Sequence, residues 1–228
     1  MVKVEDAVFR DRRDAGRQLA QALLKYRDAK DVIILALPRG GVVTGYEIGL
    51  ALRIPLDVLV VRKLGTPWNP ELAMGALAET GYRYLNDDVI KTYGVTVEQL
   101  EEEVRRQERE IRRRIEKYRG GRPLPDLKAK IVIVVDDGIA TGATLFASLA
   151  ALRNVDAARL VAAVPVAPPD TSRELSAKVD EAVILTTPTW FFGISQFYGA
   201  FPQVEDDEVI ACLGTLRDRL SGGKTHAG

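Results

Sequence analysis

Five short apolar runs punctuate the chain, at residues 32–37, 56–61, 131–135, 159–166 and 182–185. Runs of this length, rich in Val, Ile and Leu with little polar interruption, predict strands covered on both faces, as in a parallel sheet. Between them the period turns helical. Leu19, Ala20, Leu23 and Leu24 give residues 11–27 an amphipathic pattern, and residues 42–52 read as a helix that Ile54-Pro55 ends. Residues 144–152 and 171–177 read as two more. Strand, loop, helix, strand at these spacings is a βαβ unit, so the expected fold class is α/β, with a mainly parallel five-stranded sheet flanked by helices.

Residues 64–85 break the alternation. Thr66-Pro67-Trp68-Asn69-Pro70 is rich in turn formers, and residues 71–79 and 82–85, joined by Thr80-Gly81, predict a hairpin. Such an irregular stretch between core strands is either an excursion or a functional flap. A short helix is expected at 87–93 and a long one at 97–118, with Val97, Leu100, Val104, Ile111, Ile115 and Tyr118 on one stripe. The rest of that helix is almost wholly Glu and Arg, with pairs four apart at Glu102/Arg106, Glu108/Arg112 and Glu110/Arg114. It packs on the domain by its stripe, or it is a helical dimer contact. Gly120-Gly121 and Pro123 end it. Past the last expected strand, residues 190–198 are the most aromatic stretch, and a polar tail helix is expected at 205–220. The expected organisation is a single domain over 1–228, with a flap and helical insertion at about 64–122 and a small C-terminal hood and tail at about 186–228.

Composition narrows the class. Of 228 residues, 46% are hydrophobic and 28% charged, ordinary for a globular chain. The formal net charge is +0, which predicts no bulk attraction to nucleic acid or membrane surfaces. No apolar run approaches the ~20 residues of a membrane span. The first residues, with Glu5, Asp6 and Arg10 to Arg13, lack the apolar core of a signal peptide, and a single Cys212 suits a reducing compartment, so a cytoplasmic location is expected. The one histidine, His226, sits in a Gly-rich tail, which disfavours His-based catalysis or metal ligation.

Candidate chemistry collects at the strand ends. The run 131–135 leads straight into Asp136 and Asp137, then a small-residue loop to Gly142, then a helix opening near Thr144. Ligands of open α/β sheets sit where strand C-termini meet helix N-termini, and the free N–H groups there favour an anion. One end of this loop is doubly negative and the other is a phosphate cradle. The run 32–37 ends in Pro38-Arg39-Gly40-Gly41 and the run 56–61 in Arg62-Lys63. Parallel strands would bring all three loops to one sheet edge.

Residues 134–144, Val-Val-Asp-Asp-Gly-Ile-Ala-Thr-Gly-Ala-Thr, resemble the phosphoribosyl-pyrophosphate (PRPP) signature of the type I phosphoribosyltransferases. Leu37-Pro38-Arg39-Gly40-Gly41 resembles their pyrophosphate loop. Val60-Val61-Arg62-Lys63-Leu64-Gly65 resembles the Arg-Lys entry to the mobile catalytic loop of the adenine and orotate members. The resemblance covers residues 32–166, with a looser echo at 189–198, and it is nearest to the uncharacterised members of the family. It implies a type I phosphoribosyltransferase fold and a glycosyltransferase that moves ribose 5-phosphate from PRPP to a purine or pyrimidine base, releasing pyrophosphate, in nucleotide salvage. On that resemblance, Thr141, Gly142, Ala143 and Thr144 take the 5′-phosphate, Asp136 and Asp137 hold the ribose hydroxyls, and Gly138 and Ala140 belong to the same PRPP-binding loop. Arg39, Gly40, Gly41 and Lys63 hold pyrophosphate and Arg62 is also PRPP-binding, with Asp136, Asp137, Lys63 and Arg39 as the catalytic set. Mg²⁺ would be bound mainly through PRPP, with Asp136 and Asp137 as further candidate ligands. Trp190, Phe191 and Phe192 lie where related enzymes stack a ring on the base, although they would equally fill core. The 6-oxopurine enzymes carry an acidic residue where this chain has Ala140. Glu71 or Glu79 could act on the acceptor instead, or be solvated hairpin carboxylates. The partners implied are PRPP and a base, with a homodimer as the expected assembly. A regulator that binds PRPP or a nucleotide without turnover is the alternative.

Overall fold

The computed structural model describes residues 8–153 and 155–222; Glu5, Asp6 and His226 lie outside them. In chain order the elements are α1 (Arg12–Ala22), β1 (Val32–Ala36), α2 (Gly40–Leu52), β2 (Leu56–Val58), β3 (Val61–Gly65), β4 (Ala73–Ala78) and β5 (Arg83–Leu85). Then come α3 (Asp87–Thr92), α4 (Val97–Arg119), β6 (Ile131–Val135), α5 (Ala143–Leu152), β7 (Arg159–Val166), α6 (Pro169–Lys178), β8 (Glu181–Thr186) and α7 (Asp206–Gly222).

Five of the strands pair in the order β2-β1-β6-β7-β8, every pair parallel. The apolar runs are two-sided because both faces are covered. Ile34, Ile133 and Val161 meet Leu19 of α1, Leu23 just after it, and Ile48 and Leu52 of α2, while Ile33, Leu35, Val132 and Val134 meet Leu145 and Leu149 of α5. The α2 helix is apolar nearly all round, as a helix enclosed on all sides must be. It is enclosed by α1, which approaches so closely that a Cβ on Gly16 would lie 2.6 Å from the Thr44 carbonyl, and by α7. The tail helix reads as polar but buries Val209, Cys212 and Leu216 in the same cluster as Val42 and Val43.

The run 56–61 predicts one strand; the structure makes two. The chain leaves the parallel sheet after Val58, and Val61 opens a separate antiparallel sheet of order β3-β4-β5. What ends the ladder is a side chain. The Val60 N–H donates to the Glu79 carboxylate at 2.8 Å, and the Glu79 N–H returns a bond to the Val60 carbonyl at 2.9 Å. The expected flap hairpin is therefore β4 and β5 of a packed layer. Val61, Ala76 and Ala78 lie against α5, and Leu64, Met74 and Leu77 against α4 and α2. The β3–β4 loop at 67–71, the turn at 80–81 and the edge strand β5 are exposed.

On α4 the stripe holds at Val104, Ile111 and Tyr118, but Val97 is 71% exposed. Of the three expected ion pairs only Glu110–Arg114 forms, at 2.9 Å; Arg106 turns one residue closer, to Glu103 at 2.7 Å, and Glu108 faces Arg83 across the gap to β5.

Candidate functional site

Adjacent strands β1 and β6 run in register, Ala36 opposite Val135, so their following loops meet. The meeting is tight, and glycine permits it. A Cβ on Gly40 would fall 1.8 Å from Asp137 Oδ2, and one on Gly41 would fall 2.8 Å from the Val135 carbonyl and 2.9 Å from Asp136 Cα. The pair Gly40-Gly41 thus sets the N-terminus of α2 directly against the two acids. The Pro38–Arg39 peptide is cis.

Asp137 is fixed from two sides. Arg12 Nε donates to Asp137 Oδ2 at 2.6 Å, and the Tyr198 hydroxyl donates to the Asp137 carbonyl at 2.6 Å. Arg12 is itself held by the Pro202 carbonyl, which accepts from Nη1 at 2.6 Å, and by Phe201, whose ring centroid lies 3.6 Å from the guanidinium carbon. Burial, then the charge of Asp137, pushes the Tyr198 phenol up, so it stays a donor. Asp136 accepts from the Asp137 N–H at 2.9 Å. Burial, and after it the neighbouring Asp137, raises its carboxyl well above the usual range.

Beyond the acids the loop turns through Gly138 (φ 150°) and Gly142 (φ 74°), backbone that side chains rarely adopt. The Ile139 N–H donates to the Val166 carbonyl, and the Thr171 hydroxyl to the Ala140 carbonyl, which anchors the loop to β7 and α6. It delivers the chain to the N-terminus of α5, where the exposed Thr141 and Thr144 stand at the positive end of the helix. The result is a short path with carboxylates at one end and unsatisfied donors at the other.

Arg39 caps the approach to α2 and reaches Glu205 at 3.1 Å. The Arg62-Lys63 pair does not end a strand of the parallel sheet as expected, because β3 belongs to the smaller sheet. Its residues alternate: Arg62 turns toward α4 and donates to Gln107 at 3.0 Å, whereas Lys63 takes the opposite face, shared with Val61 and α5, and pairs with Glu71 at 3.0 Å. Arg62 therefore does not join the loop cluster. Glu79 is neither a solvated carboxylate nor an open one: its side chain is 3% exposed and is paired with Arg119.

The aromatic segment leans over the acid loop through Ile194, whose Cγ2 would lie 2.6 Å from a Cβ on Gly138. Phe191 packs on Phe197, but Trp190 and Phe192 are 77% and 90% exposed, so they do not fill core. A backbone ladder joins this segment to the chain before α1. The Phe9 N–H donates to the Phe197 carbonyl, and the Gly199 and Ala200 N–H groups donate to the Phe9 and Arg10 carbonyls. Arg12 and Tyr198 escape a reading of the sequence because nothing in their local pattern links them to a residue more than sixty positions away. Among the described residues no group of three His, Cys, Asp or Glu side chains is placed to hold a metal.

The model of the phosphoribosyl transferase domain matches residues 9–201. Two Mycobacterium tuberculosis proteins, of strains CDC 1551 and H37Rv, provisionally named phosphoribosyl transferases, are 47% identical over 221 residues, 96% of this chain. The chain spans about half the length of these curated relatives. The crystal structure of TT1426 from Thermus thermophilus is 41% identical, superposes with a TM-score of 0.76, and the alignment covers 90% of this chain and 97% of that one.

Proposed function

Since the chain belongs to the phosphoribosyl transferase domain family, with the type I fold, we propose that it transfers ribose 5-phosphate from PRPP to a nitrogenous base and releases pyrophosphate. The observation that carries this reading is the union, within one loop, of the Asp136-Asp137 pair with the α5 cradle, beside Arg39-Gly40-Gly41 on the neighbouring strand. In this reading the N–H groups at the start of α5, with Thr141 and Thr144, take the 5′-phosphate. Gly138, Ala140, Gly142 and Ala143 let the backbone come close. Asp136 and Asp137 accept from the ribose hydroxyls, and Arg12 keeps Asp137 in place for that task.

Arg39 and Lys63 face the pyrophosphate. Each is engaged by an acidic side chain, Glu205 and Glu71, at 3.1 and 3.0 Å on the surface, contacts weak enough for an incoming anion to displace. Departure of pyrophosphate leaves positive charge on the ribose ring and negative charge on the leaving group, and fixed donors at that group lower the barrier. Mg²⁺ prefers about six oxygens, and two adjacent acids supply only part of such a shell, so the residues present suit a metal that arrives on PRPP, where it neutralises charge on the leaving group. Trp190 and Phe192 are free to stack on a flat acceptor, and the absence of a carboxylate at Ala140 leaves acceptor deprotonation to another group or to the base itself.

A pyrophosphate-release assay with PRPP, Mg²⁺ and a panel of purine and pyrimidine bases tests the proposal. Turnover with at least one base is expected. The Asp136→Asn protein, still folded by circular dichroism, should lose PRPP binding by calorimetry. Tight PRPP binding without turnover on any base points instead to a regulator, and undiminished PRPP affinity in Asp136→Asn overturns the site.

A further inference from the structure

At the opposite edge of the parallel sheet, where β1, β2 and β6 begin, lies a half-open cavity of about 930 Å³, within the size range of small-molecule sites. Its walls come from the starts of those strands, the chain after α4, and α7. Six cationic side chains and only two carboxylates line it, in a chain of zero formal net charge. The carboxylates are already committed: Asp28 pairs with Arg53 at 2.6 Å, and Asp57 lies 4.0 Å from Arg119. Some of the positive charge has a local reason. Arg53 follows the last turn of α2, and Arg122 donates to the Arg119 carbonyl, so both answer helix carbonyl ends. Lys30 and Lys130 have no such role. They precede β1 and β6, neighbours in the sheet, and among the described residues neither makes an ion pair.

Arg119 is the decisive residue. Its side chain is 2% exposed, and one nitrogen is satisfied by Glu79, but Nε and Nη1 are buried with no hydrogen-bond partner among the described residues. Two unsatisfied donors of a buried guanidinium are costly, and native proteins rarely leave them so. The Arg119 guanidinium, faced by Glu79 and more distantly by Asp57, adds positive charge behind the cavity wall. The remaining wall is mostly apolar, with Pro55, Ile210, Leu213 and Leu220, and its α7 side also carries Ser221 and Arg217, which faces Asp218 at 3.9 Å.

We propose that this cavity is a second ligand site, distinct from the acid loop, that binds an organic phosphate: the doubly charged group among Lys30, Lys130 and Arg122, in front of the buried Arg119, and an apolar or flat body against the α7 wall. A phosphate matches the arginine fork and the charge surplus, and the apolar wall selects against the free inorganic ion.

The test is calorimetric titration of the full chain with phenyl phosphate, against inorganic phosphate. Two variants accompany it: a rim variant, Lys30→Ser/Arg122→Ser/Lys130→Ser, and a cradle variant, Thr141→Ala/Thr144→Ala. All three rim residues are at the surface, so folding should survive. The expected result is a binding event retained in the cradle variant, weakened about tenfold or more in the rim variant, and tighter for phenyl phosphate than for phosphate. A rim variant that titrates like the unmodified chain overturns the site; a rim-dependent event that does not distinguish the two probes overturns the organic phosphate.

Discussion

Asp136 occupies surroundings that work against its own ionisation. Buried, and beside the charge of Asp137, its carboxyl is raised well above the usual range. The stabilising contribution of such a group is complete below the ordinary carboxylate pKa and is lost as pH rises through the raised value. Above that value the folded protein carries a charge it would fold better without. Asp136→Asn should therefore raise the melting temperature at pH 7 to 8, by at least about 2 °C, the response to roughly 0.5–1 kcal/mol in a chain of this size. The gain should shrink toward zero as the pH falls below the range of free carboxylates. A thermal melt series across pH reads this, and an Asp136→Asn protein less stable at neutral pH would refute the electrostatic account. The same substitution is expected to abolish PRPP binding, so stability and function would move in opposite directions at one atom pair. The adjacent acids and the Thr-Gly-Ala-Thr run are legible in the sequence because their chemistry is contiguous. The state of the acids is not, since it depends on Arg12 and Tyr198.

At the scale of elements, strands β1 and β6 are legible because five consecutive apolar residues have one economical home, a position covered on both faces. The break between β2 and β3 is not, because neither Gly nor Pro marks it and the run of apolar residues continues across it. A carboxylate nineteen residues further on ends the ladder. Glu79 should accordingly be structural. Glu79→Ala removes the acceptor of the Val60 N–H and leaves Arg119 buried without its paired charge, for a cost of about 3–5 kcal/mol. Urea denaturation measures it; a loss under 1 kcal/mol would mean that the two sheets are joined by packing alone. The same reasoning explains the misplacement of Arg62. In a continuing parallel strand it would reach the sheet edge, but after the switch of sheet the alternation of β3 turns it to α4 and leaves only Lys63 on the α5 side.

On the scale of the whole molecule, the site is a junction of distant segments. Arg12 reaches Asp137 across 125 residues and Pro202 across 190. Arg12→Gln leaves the Asp137 carboxylate without its counter-charge in a half-enclosed place, and a loss of about 3 kcal/mol or more is expected. Arg12→Lys should recover part of it, because lysine restores the charge but not the fork that spans Asp137 and Pro202. Equal losses for the two variants in urea melts would show that packing on Phe201, not charge, is what matters.

The ladder between residues 9–10 and 197–200 also bears on how the protein comes into being. Synthesis proceeds from the N-terminus, so Phe201 and Pro202, which hold Arg12, leave the ribosome at and just past the end of the matched residues. A nascent chain stalled just after α6 would already hold both acids and the α5 cradle, yet its first segment would have nothing to pair with. Asp137 would then meet an Arg12 that neither Phe201 nor Pro202 holds. Binding competence should therefore appear abruptly, when residue 202 emerges, and not accumulate as the strands are added.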